Sequence, residues 1–167
     1  MADKATVHLF GDHIDTDVIL PGKYLSVRDP VELGKHCLEG IDPEFATRVK
    51  PGDVVVGGRN FGCGSSREHA VIALKASGVS CIIASSFARI FYRNAVNTGL
   101  SVIVCPSYSA DAKNGSQIEV DIRSQRIVDG DRIYDGEAPS EVVLSILDAG
   151  GLIPFVQRKL ATSNRRS

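Results

Sequence analysis

Apolar residues in this chain come in short runs, each closed by a turn signal. Val7-His8-Leu9-Phe10 predicts an opening strand, stopped by Gly11-Asp12. Val18-Ile19-Leu20 is a second apolar run, ended by Pro21-Gly22. Asp29-Pro30 and Asp42-Pro43 each place a capping residue before a proline at the first helical position, which predicts two short helices. Pro51-Gly52-Asp53 then leads into the β-branched run Val54–Val56, a buried strand. A glycine-rich loop spans Gly57–Gly64, followed by a predicted helix from Ser66 to Ala76, with Gly78 as its C-cap. Cys81–Ala84 reads as a strand. Ser86 is placed to cap a helix through Asn94 that closes near Gly99. Ser101–Cys105 is a further strand, stopped by Pro106.

The middle of the chain thus alternates strand and helix. Such alternation requires parallel strands joined by crossover helices, hence an α/β layer fold. Two later β runs, Gln117–Ile122 and Arg126–Val128, predict a hairpin. A last helix starts near Pro139, carries Val142, Val143, Ile146 and Leu147 on one face and ends at Gly150-Gly151. No repeat or low-complexity linker divides the chain, so residues 1–167 are expected to form one domain. The polar, basic stretch 158–167 is expected to be a loose end.

Composition removes several function classes. Lys plus Arg (19) nearly balances Asp plus Glu (20), and no polybasic run points to nucleic acid or a membrane surface. No stretch approaches the roughly 20 apolar residues of a membrane helix. The opening Met1-Ala2-Asp3-Lys4 lacks signal-peptide character, so a cytoplasmic location is expected. Cys37, Cys63, Cys81 and Cys105 are widely spaced, which suits reduced thiols and argues against a metal site held by this chain. Cys81 and Cys105 lie in apolar runs and read as core residues.

The segment with chemical content is Gly57-Gly58-Arg59-Asn60-Phe61-Gly62-Cys63-Gly64-Ser65-Ser66-Arg67-Glu68-His69. It leaves a strand and enters a helix, where free N–H groups and the helix dipole favour an anion. Gly62 and Gly64 let the backbone approach a ligand closely. Ser65 and Ser66 add hydroxyls, and Arg67 adds a fork suited to a carboxylate. A plainer reading has Ser66 capping the helix and Arg67 pairing with surface acids. A dinucleotide site fits poorly, because Arg67 stands where a third glycine belongs. Cys63 or Ser65 with His69 as base would make a hydrolase or transferase, and recognition without turnover would make an anion-binding module.

Asn60-Phe61-Gly62-x-Gly64-Ser65-Ser66-Arg67-Glu68-His69-Ala70 resembles the signature of the swivelling domain of the aconitase family. Asp15-Thr16-Asp17, Ser86–Asn94 and Gly99-Leu100 agree with it, so the resemblance spans Phe10 to Ile153. Phe91-Tyr92-Arg93-Asn94 and the short free-standing chain resemble small subunits of the 3-isopropylmalate dehydratase and homoaconitase branch. The resemblance implies a three-layer swivelling β/β/α domain with a mostly parallel central sheet and an added β hairpin. It implies a hydro-lyase acting on a di- or tricarboxylate, active only with a large subunit that carries a 4Fe–4S cluster, no cofactor being bound by this chain. By position, Ser65 would be the general base, its oxyanion held by backbone N–H groups around Gly62 and Gly64. Ser66, Arg67 and Arg28 would bind substrate. The loop Tyr24-Leu25-Ser26-Val27 would select the substrate side chain. Ser26 and Val27 carry no charge to pair a third carboxylate, whereas a buried alkyl group gains about 0.8 kcal/mol per methylene. That favours isopropylmalate in leucine biosynthesis, with homoaconitate, dimethylmalate and citramalate as alternatives.

Overall fold

The computed structural model describes residues 3–166. The chain forms a mixed α/β fold on one seven-stranded sheet. Its strands are β1 (Ala5–Leu9), β2 (Val54–Val56), β3 (Cys81–Ala84), β4 (Ser101–Val104), β5 (Gln117–Asp121), β6 (Arg126–Asp129) and β7 (Arg132–Asp135), in the order β4-β3-β2-β1-β5-β6-β7. Pairings from β4 to β1 are parallel, and those from β1 through β5 and β6 to β7 are antiparallel. The expectation of a mostly parallel sheet is therefore corrected: half of the ladder is antiparallel. The sequence reason is plain, since β5, β6 and β7 follow one another through turns too short to hold a crossover helix.

Every residue of β2 and β3 is buried, as a strand covered on both faces requires. Val55, Ile82 and Val102 face a core shared with the helices α1 (Thr16–Ile19), α2 (Pro30–Gly34), α4 (Glu68–Ala76) and α5 (Arg89–Thr98). Val54, Val56, Ile83 and Ile103 face a second core, closed by Ile118 of β5, Ile127 of β6 and Tyr108 of α6 (Pro106–Asp111). Just beyond β7, Glu137 N donates to Val104 O of β4, the opposite end of the strand order. The antiparallel half thus folds back over the parallel half.

Several local expectations hold. Asp29 caps α2 through Val31 N, and Gly99 and Gly150 end α5 and α7 (Glu141–Ala149) in the left-handed conformation. Others shift. Val18 and Ile19 belong to the short helix α1, because Asp15 accepts from Asp17 N and starts a turn. Asp42 accepts from Glu44 N ahead of α3 (Phe45–Arg48), which begins two residues later than Pro43. The structure adds β7 and α6: one two-residue turn joins β7 to β6, and Pro106, which reads in the sequence as a strand stop, is the first residue of α6. The loose end at 158–167 is corrected as far as Asn164, since α8 (Leu152–Asn164) runs through it, packed on α7 and α5.

At the N-terminal edge of the parallel strands, His8 and Asp53 form a buried pair 2.8 Å apart. Burial pushes the Asp53 carboxyl up, but the bonds from His8, Lys50 N and Thr6 N outweigh it and hold it below its usual range. A lowered folded pKa contributes stability that is present above the unfolded value and lost as pH falls through the folded one. Thermal unfolding should therefore show a loss of stability below about pH 4. Asp53→Asn should be less stable at neutral pH and should lose this part of the acid dependence.

Candidate active site

The C-terminal ends of β1, β2 and β3 carry three loops that meet at the glycine-rich segment, where α/β sheets commonly present their sites. Cross-loop bonds hold that segment. Gly62 N donates to Ile14 O, Thr16 N to Cys63 O and Asn60 N to the Ser86 hydroxyl, at 2.8 Å each. Ser86 therefore pins the loop, and α5 starts only at Arg89. Gly62 (φ 82°) and Gly64 (φ 99°) are both left-handed. A Cβ on Gly64 would lie 2.6 Å from an Asp15 carboxylate oxygen, and one on Gly62 would enter Phe91.

α4 begins at Glu68 with Arg67 as its N-cap residue, so Ser66 does not cap it and both serines stand exposed ahead of the helix. Ser65 is tied to Thr16, which is 2% exposed. Ser65 N donates to Thr16 Oγ1 at 3.1 Å, and that hydroxyl lies 3.2 Å from both Ser65 O and Ser65 Oγ. One buried hydroxyl thus connects the Ser65 amide with the Ser65 side chain. Asn94 of α5 donates to Ser66 O at 3.2 Å. Arg67 donates through Nη1 to Asp17 at 2.7 Å and passes beside Gly22, where a Cβ would lie 3.5 Å from that nitrogen.

The alternative nucleophile fares badly. Partial burial and the neighbouring Asp15 carboxylate push the Cys63 thiol up, the reverse of what an activated thiolate needs. His69 makes no hydrogen bond to Cys63 or Ser65 among the described residues.

The loop Tyr24–Val27 lies beyond a 3₁₀ turn at Gly22–Tyr24. Tyr24, Leu25 and Val27 are half-buried, and Tyr24 and Val27 pack against the helix-side core. Ser26 and Arg28 are exposed, and Arg28 has no hydrogen-bond or ion-pair partner among the described residues. The structure brings Ser65, Ser66, Arg67 and the Gly22 turn together, and the Tyr24–Val27 loop follows directly from that turn.

The sequence profile of the aconitase C-terminal domain matches residues 14–107, which contain every residue of this site. The chain belongs to that family. A 3-isopropylmalate dehydratase small subunit from Methanopyrus kandleri is 51% identical over 90% of each chain. An isopropylmalate/citramalate isomerase small subunit from Methanocaldococcus jannaschii is 48% identical over 96% of each chain. A 2,3-dimethylmalate dehydratase small subunit from Eubacterium barkeri is 49% identical, covering 93% of this chain and 97% of its own. The crystal structure of a 3-isopropylmalate dehydratase from Methanocaldococcus jannaschii superposes over the full length of both chains with a TM-score of 0.94 and 45% identity.

Sequence reasoning assigned no role to three members of this aconitase-family site: Thr16, Asp17 and Asn94. All three sit in the segments that carried the resemblance. The remaining signal was the flanking pair of aspartates, which placed Thr16 in a polar turn; its burial required the fold.

Proposed function

We propose that this chain is the small subunit of a heteromeric hydro-lyase that interconverts 2-isopropylmalate and 3-isopropylmalate through isopropylmaleate, in leucine biosynthesis. The observation that carries the reading is the near end-to-end match to small subunits of this and closely related dehydratases at about half identity. The exposure of Ser65 and Ser66 supports it, because half of a site closed by a second subunit would be open in this way. The three-layer swivelling β/β/α arrangement belongs to the same reading, supported by the antiparallel strands lying over the parallel ones with helices on the far face. So does a cytoplasmic location, for which four free cysteines are suited.

The cysteines do not fit an iron–sulfur cluster. Cys37, Cys81 and Cys105 are buried, and Cys37 and Cys81 have thiols pushed up to about 12. Among the described residues no group of three His, Cys, Asp or Glu is placed to hold a metal. The proposal therefore leaves the 4Fe–4S cluster and its chemistry with the large subunit. This chain supplies the base and a carboxylate clamp. Ser65 Oγ takes the proton from the carbon beside a substrate carboxylate and returns it at the neighbouring carbon after water is lost. A serine hydroxyl is far too weak an acid for this unaided. Thr16 can turn its proton toward Ser65 Oγ while accepting from Ser65 N, and the start of α4 and the Arg67 charge add to the same field. Ser66 and the guanidinium nitrogens of Arg67 not used by Asp17 bind the carboxylate.

The test is anaerobic assembly with a candidate large subunit and hydration assays on isopropylmaleate, dimethylmaleate, methylmaleate and homoaconitate. Turnover of isopropylmaleate is expected. A preference for dimethylmaleate or methylmaleate would move the enzyme to the branch of the relatives so named. A preference for homoaconitate would move the specificity argument to Arg28. No complex and no turnover would overturn the reading. In the active complex, Arg67→Lys should raise KM and lower kcat despite the retained charge, because the planar fork is lost. Wild-type constants for that variant would remove Arg67 from the clamp.

A further inference from the structure

Behind the Tyr24–Val27 loop lies a side-chain cluster that neither the base nor the carboxylate clamp uses. The Tyr24 hydroxyl is 2.9 Å from both carboxylate oxygens of Glu39. The Tyr24 ring stacks on His36 at 3.8 Å and 12°. His36 Nδ1 is 2.7 Å from Glu39 Oε2, which closes a three-membered network. Lys23 stands 3.8 Å from the same carboxylate. Burial pushes the Glu39 carboxyl up, but Tyr24, His36 and Lys23 outweigh it and hold it below its usual range, so Glu39 is the anion on which the cluster converges.

The backbone under Glu39 is built to stay in place. Leu38, fully buried, has φ 59°, a left-handed conformation that costs a non-glycine residue about 1 kcal/mol or more. Its N–H donates to Ile19 O at 2.7 Å, and Gly40 N donates to Val18 O. A Cβ on Gly40 would lie 2.8 Å from Val18 O, so the segment is pressed against α1. Helix α1 begins with Thr16, the partner of Ser65. On the other side, Tyr24 N, Leu25 N and Val27 N donate to Pro21 O, Gly22 O and Tyr24 O, so the loop is wound as successive turns whose position follows that of Tyr24.

We propose that Glu39, with His36, is a positioning residue for substrate selectivity: it staples Tyr24 to the α1 scaffold and so sets how far Leu25–Val27 stand from the Ser65 loop. This rests on the reading of Tyr24–Val27 as the loop that meets the substrate side chain. The selectivity between an isopropyl and a methyl substituent then depends on residues that never touch the substrate. A hydrophobic pocket separates substrates that differ by one methylene about tenfold or more, and a displaced wall forfeits that separation.

The experiment uses the assembled heteromer, with kcat and KM measured on isopropylmaleate and methylmaleate for wild type, Glu39→Ala, Glu39→Gln and His36→Ala. Glu39→Ala is expected to bring the ratio of the two kcat/KM values about tenfold nearer to one, through KM and with kcat on the preferred substrate little changed. Glu39→Gln, whose amide oxygen still accepts from Tyr24, should recover much of the ratio, and His36→Ala should fall between. Hydrogen exchange on the same complexes should show faster exchange confined to residues 24–28 in Glu39→Ala. An unchanged ratio, or an equal loss on both substrates with a lowered Tm, would overturn the staple and leave Glu39 a purely structural residue. Wild-type turnover of both substrates with no effect of Glu39→Ala sinks the staple alone. Absence of wild-type turnover removes the functional reading and the staple with it.

Discussion

Ser65→Ala is expected to lower kcat of the assembled heteromer by about a thousandfold, within the range that a positioned general base contributes. Ser65 is exposed and, among the described residues, its side chain bonds only to Thr16, so its removal should cost the fold little and leave assembly intact. The pattern to look for is a collapse of kcat with unchanged Tm and co-purification. Turnover near that of wild type would end the assignment of Ser65 as base. The Thr16 contact sharpens the expectation. The Thr16 hydroxyl accepts from Ser65 N and donates to Ser65 O, and turning its one proton from that carbonyl to Ser65 Oγ would chain the two bonds so that each strengthens the other.

Gly62→Ala is expected to be among the most destabilising single-methyl changes in the protein. Its φ of 82° is unfavourable for alanine, and the added Cβ would sit 2.5 Å from Phe91 Cβ and closer still to the ring. Phe91 cannot step aside, because it is buried and packs against Phe61 and Phe87 with ring centroids 5.5 and 6.2 Å away. Overpacking and the left-handed backbone together should cost about 3 kcal/mol, a fall in Tm of about 10 °C for a chain of this size. Gly115→Ala is the control: its φ is 85° with nothing near the added methyl, so it should lose only the conformational part. Equal losses in the two variants would show that the Phe91 contact carries no weight.

The parallel half of the sheet was legible in the sequence because each strand there is covered on both faces. Val54–Val56 and Cys81–Ala84 are continuous apolar runs bounded by turns, a pattern with few other solutions. The C-terminal half was harder to read. β7 has exposed Arg132, Ile133 and Asp135 around a half-buried Tyr134, so its alternation is weak, and among the described residues it pairs only with β6. α8 buries none of its residues, and its apolar Leu152, Phe155, Val156 and Leu160, though at helical spacing, follow Gly150-Gly151, which read as the end of the last helix. Boundaries near the site shifted for a related reason. Asp15, Ser86 and Asp42 all carry cap-type side chains; Asp15 and Asp42 accept from the backbone N–H two residues on, whereas Ser86 accepts from Asn60 N across 26 positions and pins a loop.

By itself the sequence determined the α/β class, the single glycine-rich loop between a buried strand and a helix, and the residue types able to hold an anion there. Those properties are local: hydrophobic period, turn chemistry and the donors within a dozen consecutive residues. The tertiary structure decided what surrounds that loop. Thr16 reaches Ser65 across 49 positions, Asp17 reaches Arg67 across 50, and the Glu39 staple reaches Tyr24 across 15. Spacing along a chain says nothing about such contacts. They exist because parallel strands bring their C-terminal ends to one edge, and the loops leaving those ends must pack against one another.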